Sequence, residues 1–101
     1  MKQLEGKVAI VTGGAAGFGE GIVRLYVHQG ARVVIADLDS TKGQTLATEL
    51  APAAVFVRCD VSKSQDVQAL VRHCVEHFGP PDIVVNNAGT THNNQPMLTI
   101  D

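Results

Sequence analysis

Thr12-Gly13-Gly14-Ala15-Ala16-Gly17-Phe18-Gly19 is the stretch on which the fold of this chain turns. A short apolar run, Val8-Ala9-Ile10-Val11, precedes it, and Ile22, Val23, Tyr26 and Val27 follow at helical spacing. A strand, a glycine-rich turn and a helix therefore succeed one another. Gly13 lets the chain turn sharply. Gly17 removes a side chain where a ligand group can approach the backbone, and Gly19 allows the helix to pack closely on the sheet. The unpaired N–H groups and positive end of the new helix suit an anion, above all a pyrophosphate. The amide of Phe18 lies in that first turn as a donor, and its ring is expected to pack. The spacing is G-x-x-x-G-x-G, not G-x-G-x-x-G. A glycine loop alone would equally suit a plain turn; its place between strand and helix is what favours phosphate.

The pattern repeats outward from the loop. Arg32–Ala36, Ala54–Val57 and Asp82–Val85 are runs rich in apolar and β-branched residues without polar alternation, as buried parallel strands require. Helical segments separate them. Gly30 is placed to end the first helix in a left-handed cap. Ser40 is a candidate cap for the second, which carries Leu46 and Leu50 four apart and stops at Pro52. In the third, Ser62 and Gln65 have capping-box spacing. Val67, Leu70, Val71, Cys74 and Phe78 then form an apolar stripe that ends at Gly79-Pro80-Pro81. The order βαβαβαβ with right-handed crossovers gives an α/β doubly wound parallel sheet, strand order 3-2-1-4, with flanking helices. Residues 1–101 are expected to be one dinucleotide-binding domain of Rossmann type.

Composition narrows the function. The 101 residues are 45% hydrophobic and 18% charged, with a formal net charge of -2 and no basic cluster. A soluble globular chain fits this balance, and a nucleic-acid partner does not. No apolar run has the ~20 residues of a membrane span. The start Met1-Lys2-Gln3-Leu4-Glu5-Gly6-Lys7 lacks a secretory signal, so a cytoplasmic address is expected, with Cys59 and Cys74 reduced.

Asp37 ends the second strand, eighteen residues after Gly19. In a dinucleotide fold an acid here can hydrogen-bond both hydroxyls of the adenine-side ribose and repel a 2′-phosphate. Neither Leu38 nor Ala16 supplies a basic residue to reverse that preference, so NAD is expected over NADP. The alternative role for Asp37 is capping or solvating its own turn, with Asp39 as neighbour.

Three motifs together resemble the short-chain dehydrogenases/reductases. The loop Thr12–Gly19 is similar to that family's TGxxxGxG signature. Cys59-Asp60-Val61 resembles its adenine-contact position, and Asn86-Asn87-Ala88-Gly89 its NNAG motif. The resemblance implies that Asp60 contacts the adenine amino group and Val61 adds a backbone contact. It implies that Asn87, Ala88 and Gly89 line the cofactor by backbone, while Asn86 braces the sheet. The implied cofactor-binding set is Gly13, Gly17, Phe18, Gly19, Asp37, Leu38, Asp60, Val61, Asn87, Ala88 and Gly89. Asp60 can alternatively serve the turn at Ser62, and the Asn pair can be purely structural.

The family's active-site Ser and Tyr-x-x-x-Lys pair, its acid/base machinery, have no counterpart here. Tyr26 is the only tyrosine and lies on the first helix's apolar stripe. No catalytic residue is assigned. Thr99 and Asp101 resemble N-caps of a further helix. This implies a truncated chain whose fourth strand presents a bare edge, open to pairing with another copy or a full-length relative. The expected function is the NAD(H)-binding portion of an enzyme that moves hydride between NAD(H) and an alcohol or carbonyl substrate in full-length form. A non-catalytic NAD-binding module and an interaction fragment are the alternatives. His73 and His77 share a helix face but lack further ligands, so no metal is expected. Ser40, Ser62 and Ser64 have no paired base. His92 falls in a polar segment, expected to be a loop.

Overall fold

A computed structural model describes residues 2–87 and the backbone of residues 97–100. The elements run β1 (Val8–Thr12), α1 (Gly17–His28), β2 (Arg32–Asp37), α2 (Ser40–Leu50), β3 (Ala54–Arg58), α3 (Ser64–His77), β4 (Ile83–Asn86) and β5 (Met97–Ile100). The sheet order is β3-β2-β1-β4-β5. The first four strands are parallel in the order expected from the sequence, and β5 is antiparallel to β4.

β1 is central and every one of its residues is buried. Strand geometry sends alternate side chains to opposite faces. Ala9, Val11, Val33 and Ile35 therefore meet Val23 of α1 and Leu46 and Ala47 of α2. Val8, Ile10, Val34 and Ala36 face Leu70 and Cys74 of α3. Two cores flank one sheet, which explains why the strands read as continuous apolar runs. Each fully buried Val or Ile contributes about 1.5–3 kcal/mol.

The helix ends show where local chemistry decided. α1 closes in a Schellman motif: Ala31 N–H donates to Tyr26 O, Gly30 N–H donates to Val27 O, and Gly30 has φ 96°. α2 is capped by Asp39 rather than the expected Ser40. The Asp39 carboxylate accepts Lys42 N–H at 3.0 Å. The turn before it is already fixed by Asp37, so Asp39 stands one residue ahead of the serine in the capping position. The capping box expected from Ser62 and Gln65 does not form. α3 starts at Ser64 behind Lys63, which makes no side-chain cap bond. Ser62 donates both its hydroxyl (2.6 Å) and its N–H (3.0 Å) to Asp60 instead. Asp66, in the first turn, reaches back to accept Asp60 N–H at 3.0 Å.

Two further expectations are corrected. Val67 and Val71, expected on the apolar stripe of α3, are both exposed, as is Val75. The residues that α3 buries are Leu70 and Cys74, a narrow line against the sheet. Thr99 caps no helix; it lies within β5, paired with Val84 of β4. A short strand satisfies the backbone groups of β4 that would otherwise face water, so the edge of β4 is not bare. Asp101 lies outside the described residues.

Candidate dinucleotide site

The carboxyl ends of β1, β2, β3 and β4 converge on one rim, and the loop from Thr12 to Gly17 forms its floor. Crossovers to either side of β1 open a crevice at this point, where the strand order reverses. The loop is held to β2. Gly13 N–H donates to Ala36 O at 2.7 Å, Gly14 N–H to the same carbonyl at 3.4 Å, and Ala15 N–H to Asp37 Oδ2 at 3.0 Å. Gly13 and Gly17 have φ of 66° and 60°, backbone that side-chain-bearing residues rarely adopt. A Cβ on Gly17 would meet nothing within 4 Å, so the space beside it is open. A Cβ on Gly19 would stand 1.8 Å from Gly13 O. The close approach served by Gly19 is thus to the loop itself, not chiefly to the sheet.

Ala16 is the N-cap of α1 and supplies no side-chain acceptor. The first-turn amides of Gly17 and Phe18 have no intrahelical acceptor by helix geometry. The helix dipole adds to their attraction for an anion. The Phe18 ring, expected to pack, is 62% exposed. The first turn stands clear of the sheet at that point, so the ring lies on the rim rather than in a core.

A recess of about 320 Å³ opens beside the loop. Gly13 contributes from the loop, Asp37 and Leu38 from the end of β2, and Asp60, Val61 and Ser62 from the end of β3. With Cys59 behind them, seven residues that are up to 49 positions apart in sequence meet here because parallel strands deliver all their carboxyl ends to one side. Leu38 is exposed and presents an apolar wall. Ser62's hydroxyl, and then its N–H, hold the Asp60 carboxyl below the usual carboxylate range, with Lys63 and Arg58 acting in the same direction. Asp60 is therefore an anion throughout the neutral range. Burial pushes the Cys59 thiol up, and the nearby Asp66 and Asp60 add to the effect. It forms the back of the recess as an unreactive apolar group.

The other side of the loop is fastened through Thr12. Its hydroxyl lies 3.2 Å from both Val85 O and Asn86 Oδ1, and accepts Asn87 N–H at 2.9 Å. Asn87 Nδ2 donates to Gly13 O at 3.4 Å. Asn86 thus braces β1 against β4. The Asn87 N–H points back to Thr12, so what Asn87 offers the crevice is not that amide. Ala88 and Gly89 lie outside the described residues, as does His92. The brace role of Thr12 escaped the sequence reading. The available signal was a hydroxyl at the last strand position, directly before the glycines.

Comparison with known proteins agrees with this geometry. The family model for short chain dehydrogenase matches residues 7–101. The chain belongs to this family. It is 56% identical over 89 residues to the sex determination protein tasselseed-2 of Zea mays, an alignment covering 87% of this chain and 26% of that protein. It is 51% identical over 92 residues to L-fucose dehydrogenase of Oryctolagus cuniculus, covering 91% of this chain and 32% of the relative. Among solved structures, a 3-ketoacyl-(acyl-carrier-protein) reductase from Brucella melitensis, complexed with NADH, superimposes with a TM-score of 0.86 at 46% identity. That match covers 92% of this chain and 38% of the reductase. The chain spans between about a quarter and two fifths of the length of these three relatives. The motif-based resemblance to short-chain dehydrogenases/reductases and the α/β fold both stand.

Proposed function

We propose that this chain holds NAD(H), and that it favours NAD(H) over NADP(H). The observation that carries the proposal is the recess joining the glycine loop to Asp37, Leu38 and Asp60 beside an uncapped helix start. The amides of Gly17 and Phe18 would face the pyrophosphate, with the open space at Gly17 admitting it. Asp37 would take the adenine-side ribose hydroxyls. Leu38 and Val61 would flank the adenine, and Asp60 would accept from its amino group. Asn87, Ala88 and Gly89 are proposed to border the other half of the cofactor. A bound nicotinamide carries hydride; the residues here bind and orient it.

A 2′-phosphate in place of the ribose hydroxyl would bring a second negative charge against Asp37. At ~4 Å that repulsion is about 1 kcal/mol in water and about 4 kcal/mol at an effective dielectric near 20, a preference of roughly fivefold to a thousandfold. Hydride transfer between NAD(H) and an alcohol or carbonyl carbon is proposed for a protein of the relatives' full length. A cytoplasmic location goes with the same proposal, and no helix among the described residues is long and apolar enough to cross a membrane. Calorimetric titration of the chain with NADH and NADPH is the test. Saturable NADH binding at least about fivefold tighter than NADPH is expected; equal affinities would refute the preference, and no NADH binding would refute the function.

A further inference from the structure

The carboxylate proposed for the ribose already has two partners within the chain. Asp37 Oδ2 accepts Ala15 N–H at 3.0 Å across 22 residues, and Oδ1 accepts Asp39 N–H at 2.9 Å. Each carboxylate oxygen has two acceptor sites, so both bonds leave room for a diol. We propose that Asp37 is also a positioning residue, fixing the curvature of the glycine loop before any ligand arrives. The ligand half of this proposal rests on the NAD(H) reading; the loop half does not.

The geometry around Ala15 carries the point. Gly13 and Gly14 both donate to a backbone carbonyl, Ala36 O, which no substitution removes. Ala15 donates to a side chain. Its own residue is buried, and Gly14 before it is packed against Ile35 and Val23. The Ala15 amide thus depends on the Asp37 carboxylate for its partner while the loop keeps this shape. The second bond, to Asp39 N–H, closes the turn that sets Asp39 as cap of α2. One carboxylate thus ties the loop to the start of α2.

Asparagine cannot replace it in full. Its amide has one acceptor oxygen, and its NH2 would face the second N–H as donor against donor. Hydrogen bonds to a charged group are each worth roughly a tenfold to hundredfold change in an equilibrium. Removing the charge at this position therefore loosens the loop as it relieves the repulsion of a 2′-phosphate. Asp37→Asn is expected to lose NADH affinity without gaining NADPH affinity.

Two measurements on the whole chain decide the matter. The first is amide hydrogen exchange at Ala15 without ligand, in the wild type, Asp37→Asn and Asp37→Ala, with the Ile10 amide in β1 as internal control. At least tenfold faster exchange at Ala15 in both variants, with Ile10 unchanged, is expected. Unchanged exchange at Ala15 overturns the proposal, and so does equal acceleration at Ile10, which would signal a loss of the whole fold. The second is calorimetry with an NADH analogue lacking both hydroxyls on the adenine ribose. If Asp37 serves only the diol, Asp37→Ala binds this analogue as well as the wild type does, and the brace is refuted. A tenfold or greater loss is expected. Failure of the wild type to bind NADH would sink the NAD(H) reading alone, because the exchange measurement needs no ligand.

Discussion

Gly19→Ala should be strongly destabilising. The new Cβ would lie 1.8 Å from Gly13 O, 2.6 Å from Gly13 C and 2.8 Å from Gly14 Cα. All three are backbone atoms, so no rotamer change relieves the clash. The gap to Gly13 O must open by about 1.2 Å to reach even the shortest tolerable contact of 3.0 Å. Gly13 cannot yield freely, because its N–H is held by Ala36 O and its own carbonyl by Asn87 Nδ2. Forced overpacking of this kind costs about 1–3 kcal/mol or more. In a domain of this size each 1 kcal/mol lowers Tm by roughly 4–8 °C. Gly17→Ala is the matched control. There the Cβ meets no atom within 4 Å, and the cost is that of φ 60°, about 1–2 kcal/mol. Its methyl would instead intrude on the proposed path of the pyrophosphate. Urea unfolding and NADH calorimetry on both variants should therefore rank oppositely: Gly19→Ala loses more stability, whereas Gly17→Ala loses more affinity relative to its stability. A Gly19→Ala chain as stable as the parent would refute the close-approach reasoning.

Thr12→Val keeps the shape of the side chain and deletes the hydroxyl that accepts Asn87 N–H. The part-buried donor left behind costs about 1–3 kcal/mol, whereas Thr12→Ser retains the bond. Thermal melts should show the valine variant well below the serine variant; coincident melts would remove Thr12 as the link between β1 and β4. Asp60 provides a test in pH. Its folded-state pKa lies below the ordinary 3.8, so its contribution to stability is fully present above that value and lost as pH falls through the lower folded one. Urea midpoints between pH 6 and 3 should fall less steeply in Asp60→Asn than in the wild type, and identical acid slopes would count against the Ser62 contact.

The fold was legible because burial on both faces leaves an unambiguous mark: four runs such as Arg32–Ala36 with no polar alternation, each separated by one helical pattern. The glycine loop was legible for a different reason. Positive φ at Gly13 and Gly17 and contact with bare backbone at Gly19 are demands few other residues can meet, so the requirement is written in residue type. What stayed hidden involved choices among equals. Asp39 and Ser40 can both cap, and only the prior commitment of Asp37 to Asp39 N–H placed the aspartate first. Ser62 can open a helix or serve an aspartate two residues back, and proximity to Asp60 decided it. Val67 and Val71 fit the helical stripe by period alone, but period does not state how wide a line of contact the sheet provides.

Asp37 shows why a residue's role is harder to read than its place. Its position at the end of β2 follows from the strand pattern, and an acid there points to a ribose by chemistry alone. The same two oxygens also complete the loop and the next helix cap, through partners at Ala15 and Asp39 that carry no side-chain signature in the sequence. From the sequence alone, a ribose ligand and the local turn compete for this carboxylate. Lone-pair count makes them compatible: two backbone donors occupy half of the carboxylate's capacity and leave the remainder for a ligand. A charge proposed both to recognise a ligand and to hold the floor on which that ligand would lie cannot be exchanged for one function without disturbing the other. Recovery of NADPH binding should therefore require a second acceptor for Ala15 N–H in addition to removal of the Asp37 charge.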